Sequence, residues 1–197
     1  MAKLYFYYGA MGASKTAQAL MTRFNYQEKG QRVLLAKADL DTRDDEGDRP
    51  MLRSRAGLEA ECVLLSEVCR RAKAEEGEKY IRSFDVIIVD EAQFASPEQI
   101  MELADIVDFY DIPVICFGLR SDFRGELFPG SERLLAVADK LTEIKTMCWC
   151  GKKATMNARF DENGIVKEGE QIVIGANSSY TALCRKHWRL GQLKDEN

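Results

Sequence analysis

The chain has 197 residues, 28 Lys+Arg against 32 Asp+Glu for a net charge of −4, and is 46% apolar and 30% charged. Those values suit one folded domain, or one with a small appendage, and exclude wholesale disorder and collagen. They supply no bulk electrostatic pull toward nucleic acid or an anionic membrane, and the longest apolar runs, Val86–Val89 and Val114–Phe117, are strand-sized.

In chain order, Lys3–Tyr8 is an aromatic run that predicts a buried strand. The glycine turn Gly9–Ala13 follows. Ser14 to about Gln27 predicts a helix with Ala17, Ala19, Leu20, Met21 and Phe24 on its apolar face, closed by Gly30. Arg32–Ala38 predicts a second strand, and the polar stretch Asp39–Gly57 is expected to contain a mobile loop. Ala60–Leu65 predicts a short strand and Ser66–Glu78 a helix. Phe84–Val89 is the near-continuous apolar strand of a parallel sheet covered on both faces. Ser96-Pro97 caps and opens a helix running to about Tyr110, and Ile112–Phe117 is another buried strand. Strand and helix alternate to about residue 145, the pattern of an α/β fold with right-handed crossovers. Met147–Tyr180 has Gly, Asn and short β runs without a helical period, which predicts a small second unit.

The turn Gly9-Ala10-Met11-Gly12-Ala13-Ser14-Lys15-Thr16 joins the first strand to the first helix. Small residues let the backbone fold around an anion, with successive N–H groups and a helix N-terminus pointing at it. Lys15 can reach the β- and γ-phosphates, and the Thr16 hydroxyl can ligate Mg²⁺. The phosphate-loop pattern G-x-x-x-x-G-K-[ST] asks for glycine where Ser14 stands, so this chain departs from it at that position. Asp90-Glu91-Ala92-Gln93-Phe94 follows the buried strand, where parallel-sheet proteins carry ligand chemistry. Asp90 can hold Mg²⁺ directly or through water, and Glu91 is a general base or the start of a loop.

Near the C-terminus, Cys148-Trp-Cys150 and Cys184-Arg-Lys-His187 form two ligand pairs. Four N/S ligands suit tetrahedral Zn²⁺ and leave no open position, so the site reads as structural. Its one histidine, His187, is thereby used. Cys62, Cys69 and Cys116 lie in apolar surroundings and read as core residues. No charged-then-apolar leader opens the chain, so the expected location is cytoplasmic, where thiols stay reduced.

The chain resembles the type II thymidine kinases, bacterial members above all. The resemblance rests on Tyr5-Phe-Tyr-Tyr-Gly-Ala-Met11, Lys15-Thr16, Asp90–Phe94, Gly118-Leu-Arg-Ser-Asp-Phe-Arg-Gly-Glu-Leu-Phe128, Cys148-x-Cys150 and Cys184–His187. It implies a P-loop NTPase-like (RecA-like) parallel sheet flanked by helices over 1–145, a zinc-binding lasso over 146–190 and a tail over 191–197. It implies transfer of the ATP γ-phosphoryl group to the 5′-hydroxyl of thymidine, and of deoxyuridine, in nucleotide salvage. Glu91 then takes the hydroxyl proton, Gly9–Thr16 cradles ATP, and Asp90, Glu91, Ala92 and Gln93 complete the nucleotide and Mg²⁺ site. Asp41 and Arg43 match positions near the phosphates. Phe94, Leu119, Phe123 and Phe128 enclose the base, Ile174 contacts it, and Tyr180 closes it off. Gly164, Gly169 and Gly175 let the lasso bend. The resemblance also implies a homotetramer with feedback by dTTP, and neither a nucleic-acid nor a membrane partner. The alternatives are a nucleic-acid-dependent ATPase, since Asp90–Gln93 resembles a helicase signature, a nucleotide-binding regulator that has lost turnover, and a kinase for another deoxynucleoside.

Overall fold

The structure, a computed structural model, describes residues 1–42, 45, 47, 49–171 and 179–194. The elements of the first 145 residues are β1 (Leu4–Gly9), α1 (Lys15–Glu28), β2 (Val33–Lys37), β3 (Met51–Arg53), β4 (Glu59–Glu61), β5 (Val63–Leu64), α2 (Leu65–Ala72), α3 (Gly77–Ile81), β6 (Val86–Asp90), a 3₁₀ turn (Ala92–Phe94), α4 (Pro97–Tyr110), β7 (Val114–Leu119), α5 (Pro129–Val137) and β8 (Lys140–Glu143). Six of the strands form one sheet in the order β5-β2-β6-β7-β1-β8. Every pairing in it is parallel, with Tyr7 opposite Phe117 and Lys37 opposite Asp90. This is the expected α/β parallel sheet.

Side chains alternate across each strand, so a run apolar at every position needs cover on both faces. On one face Phe6, Leu34, Ile87, Val89, Val114 and Cys116 pack with Leu65, Val68, Ile100, Leu103 and Leu134 of α2, α4 and α5. On the other, Leu35, Val86, Ile88, Ile115 and Phe117 pack with Ala19 and Leu20 of α1 and with Leu52 and Ala60 of the β3–β4 hairpin.

Four expectations change. Met21 and Phe24 are 56% and 59% exposed, because the inward side of α1 is filled by its small residues and Leu20. The 39–57 stretch contains β3, whose Leu52 is buried against the sheet opposite Ala60. Ala60–Leu65 holds two short strands and the start of α2. Ser66–Glu78 is broken into α2 and α3. At Gly77 a Cβ would stand 2.0 Å from the Ala72 carbonyl oxygen, so only glycine lets the chain turn back so closely.

The remaining elements are β9 (Thr146–Met147), β10 (Lys153–Ala154), β11 (Met156–Asp161), β12 (Gly164–Val166), β13 (Tyr180–Leu183) and α6 (Arg185–Leu190). β9 and β10 pair, and β12-β11-β13 form a three-stranded antiparallel sheet. Their shared core is small: Cys148, Ala154, Ala158, Leu183 and Cys184, flanked by Trp188. Gly164 and Gly169 both have positive φ, while Gly175 lies outside the described residues.

Candidate active site

β1, β6 and β7 end side by side, and their connections form the floor of a cavity of about 430 Å³. The turn from β1 to α1 gives Met11, Gly12, Ser14, Lys15 and Thr16 to its wall. Asp90, Glu91, Gln93 and Phe94 come from the end of β6, and Leu119, Phe123 and Phe128 from the end of β7 and the loop after it. Asp41 and Tyr180 complete the predicted lining. Gly9, Ala10, Ala13 and Ala92 are buried residues of the same turns and do not line the cavity. Arg43 and Ile174 lie outside the described residues.

The turn is a compact nest. Gly12 has φ 72°, and Ser14 takes the left-handed conformation at φ 58°, ψ 30°, as the residue before α1. Ser14 therefore adopts a backbone region that the pattern's glycine would occupy without cost. Lys15 Nζ donates to the Ala10 carbonyl at 3.0 Å, which folds its side chain over the turn.

Asp90 is the buried carboxyl of the site. The Thr16 hydroxyl hydrogen-bonds to it, while Oδ2 has no hydrogen-bond partner among the described residues. Burial, with the neighbouring Glu91 charge second, pushes its pKa up to about 7. A carboxylate oxygen left unpaired beside a hydroxyl fits a divalent cation, which would supply the missing partner and favour the ionised form.

Glu91 has φ 51°, a left-handed residue directly after the strand. Gln93 fixes it: its Nε2 donates to Glu91 Oε2, and its Oε1 accepts the Leu119 N–H at 2.9 Å. Gln93 is fully buried, and a Cβ on Gly118 would meet its Oε1 at 2.8 Å. Gln93 thus spans β6 and β7 and aims the Glu91 carboxylate.

The aromatic half of the cavity lies beside this acid. Phe94 and Phe128 meet edge to face with ring centres 5.6 Å apart. Arg124 and Arg159 stack their guanidiniums over Phe123 at 5.8 and 5.3 Å. The buried Asp122 orders the loop by accepting the Arg124 and Glu126 N–H groups at 2.8 and 2.9 Å. Gln171 donates to Asp122 Oδ2 at 3.1 Å and ties the strap after β12 to that loop. Asp122, Gln171, Arg53, Arg55 and Asn157 also line the cavity, and sequence reasoning missed their part in it. Asp122 lies inside the quoted Gly118–Phe128 motif, and that placement was the available signal.

Cys148, Cys150, Cys184 and His187 converge, their ligand atoms all within 4.8 Å of one another. His187 Nδ1 lies 3.5 Å from the sulfurs of both Cys148 and Cys184, and the Cys150 and Cys184 sulfurs are 4.0 Å apart. Ordinary Zn–S and Zn–N bonds at tetrahedral angles put S and N about 3.5 Å apart and two sulfurs about 3.8 Å apart, so the set fits zinc. Trp149 stacks on the His187 ring at 4.3 Å and holds its plane. Burial pushes the Cys62, Cys69 and Cys116 thiols up to about 12, as suits inert core residues.

The profile of the family described as "Thymidine kinase" matches residues 2–188. The chain is 47% identical to the thymidine kinase of Legionella pneumophila (strain Lens), over 98% of this chain and 91% of that protein. It is also 47% identical to the thymidine kinase of Zymomonas mobilis subsp. mobilis (strain ATCC 31821 / ZM4 / CP4), over 95% of this chain and 96% of that one. Among solved structures, a replication initiator DnaA bound to AMPPCP and single-stranded DNA is 20% identical with a TM-score of 0.47, over 74% of this chain and 41% of that chain.

Proposed function

The chain belongs to the thymidine kinase family and phosphorylates thymidine from ATP, and on that footing we propose how its residues divide the work. The observation that carries the assignment is the single cavity lined by Lys15, by Asp90 and Glu91, and by the aromatic slot. The family match favours this reading over the helicase-like one of the same motifs, and the turnover assay below separates it from a regulator that binds without reacting.

The 9–16 turn cradles the ATP phosphates with its N–H groups, and Lys15 leaves the Ala10 carbonyl to meet the β/γ oxygens. Asp41, on the wall of the same cavity, stands near those phosphates. Thr16 and Asp90 would hold Mg²⁺, which when bound neutralises charge on the β- and γ-phosphate oxygens. Thymidine lies in the slot of Phe94, Leu119, Phe123 and Phe128, with Tyr180 over it. Its 5′-oxygen bonds to the γ-phosphorus as the bond to the ADP oxygen breaks, and Glu91 accepts the hydroxyl proton. Gln93 keeps Glu91 aimed at that oxygen. Excluding water from the slot prevents hydrolysis of ATP.

Deoxyuridine lacks one methyl group of thymidine, a difference of roughly 1–3 kcal/mol in an apolar slot, so it is also a substrate. The end-product triphosphate carries both a base for the slot and phosphates for the turn, which supports feedback by dTTP at this cavity. Cys148, Cys150, Cys184 and His187 hold a structural Zn²⁺ that fixes the two ends of the lasso. We assign 1–145 to the nucleotide unit, 146–190 to the lasso and 191–197 to a tail, in a cytoplasmic homotetramer.

A panel of four nucleosides with labelled ATP tests the substrate assignment. Glu91→Gln tests the base: thymidine and ATP affinities stay, while kcat falls by about 10²–10⁴-fold. Near-normal turnover refutes the role of Glu91.

A further inference from the structure

Asn157 belongs to β11, in the small unit, yet both ends of its amide bond to the α/β body. It is 3% exposed. Its Oδ1 accepts the Met11 N–H at 2.8 Å, and its Nδ2 donates to the Ser121 carbonyl at 2.6 Å. A flipped amide would set donor against donor and acceptor against acceptor, so these two partners fix its orientation. Met11 opens the turn after β1, and Ser121 opens the loop after β7. Those strands are neighbours, with Gly9 opposite Leu119. One side chain therefore staples together the phosphate-side turn, the loop that carries Phe123, and the strand that pairs with β13 and Tyr180. Asn157 and Met11 both line the cavity, so this staple stands at the junction of its two halves.

We propose that Asn157 is a positioning residue that couples nucleoside binding to the geometry of the phosphate-binding turn. The proposal rests on the reading that residues 9–16 hold the ATP phosphates. A nucleoside seated under Tyr180 restrains β13 and β11, and β11 carries Asn157. Asn157 restrains Met11 N, from which the turn's phosphate-facing N–H groups follow. Ordering at one end lowers the ordering cost at the other, and by linkage the effect runs both ways. The amide is the element that transmits it, because it is buried and both of its partners are main-chain groups that cannot rotate away.

The test uses the full-length, zinc-loaded protein and titrates Mg²⁺ with a non-hydrolysable ATP analogue, with and without saturating thymidine. In the wild type, thymidine tightens the analogue by about five-fold or more, the lower end of ordinary coupling. In Asn157→Leu, which keeps the branched shape and loses both bonds, that factor falls to within about two-fold of unity. An unchanged factor in the variant overturns the proposal, and so does the absence of coupling in the wild type. Asn157→Asp is the second variant. It keeps size and the acceptor for Met11 but opposes the Ser121 carbonyl with a second acceptor, and it too must lose the coupling. It carries the test if the leucine variant does not fold. Lys15→Met checks the underlying reading separately: analogue affinity falls by about ten-fold or more, the scale of a lost charge-assisted contact. Undiminished affinity there removes the phosphate-turn reading. A Lys15 effect together with unchanged coupling in the Asn157 variants removes the Asn157 proposal alone.

Discussion

Ser14 is where this chain breaks the phosphate-turn pattern, and the break has a physical cost. A residue with a Cβ at φ 58°, ψ 30° crowds its own carbonyl, at roughly 1 kcal/mol or somewhat more. Glycine escapes that cost and loses part of the gain to its freer unfolded chain. Ser14→Gly is therefore expected to stabilise the nucleotide-free protein by about 0.5–1 kcal/mol, a rise in thermal midpoint of about 2–4 °C per kcal/mol for a chain of this size. A thermal melt checks it, and the same variant shifts ATP affinity because Ser14 lines the cavity. An unchanged melt would show that the serine is tolerated without strain. The departure itself was legible, since the pattern names the missing glycine. The role of Asn157 was not: it is 146 residues from its Met11 partner, and an isolated Asn in a short β run carries no signal for such a pairing.

At the scale of elements, what could be read was what local chemistry decides. Ser96 accepts the Gln99 N–H at 3.2 Å, while the Gln99 side chain accepts the Ser96 N–H at 2.9 Å, a reciprocal cap with Pro97 in the first turn of α4. The sequence Ser-Pro-x-Gln announces it. Ser96→Ala removes one half of the cap and costs about 1 kcal/mol, seen as a midpoint about 2–4 °C lower. An unshifted midpoint would mean that packing alone ends the preceding turn. Elements set by tertiary contact were harder to read. Nothing in the Ala- and Glu-rich run around residue 74 disfavours helix, yet the chain turns there because Gly77 must pass the Ala72 carbonyl. Likewise β3 looks like loop because its flanks are charged. It becomes a strand through Leu52, which fills the gap beside Ala60 and the sheet.

The two parts of the molecule are stabilised differently. The α/β body covers both sheet faces with large side chains, enough for a core of its own. Among the described residues the small unit's core has five buried apolar residues, two of them candidate zinc ligands, and a bound metal would supply what apolar burial does not. Among the bonds that dock it on the body are Asn157 to Met11 and Ser121, Arg120 to the Thr155 carbonyl at 3.2 Å, the Trp188 indole N–H to the Phe123 carbonyl at 2.9 Å, and Gln171 to Asp122 at 3.1 Å. Phe123 thus joins the nucleoside slot to α6, which carries His187. The ligand spacing was legible in the sequence because Cys-x-Cys and Cys-x-x-His are local. The docking was not, because most of it runs through main-chain N–H and carbonyl groups that any residue could present. Removing zinc therefore has a directional consequence. Metal analysis of the native protein is expected to find about one Zn²⁺ per chain, as one closed four-ligand set requires. After chelation, thymidine binding and turnover are lost, since Tyr180 and Phe123 lose their anchor. ATP binding stays within about an order of magnitude, because Lys15 and Asp90 belong to the body and only the coupling term is removed. The far-ultraviolet signal of the body's helices persists. Full activity in metal-free protein would mean that the four ligand residues hold the lasso through packing alone, and that the body and the small unit share one source of stability.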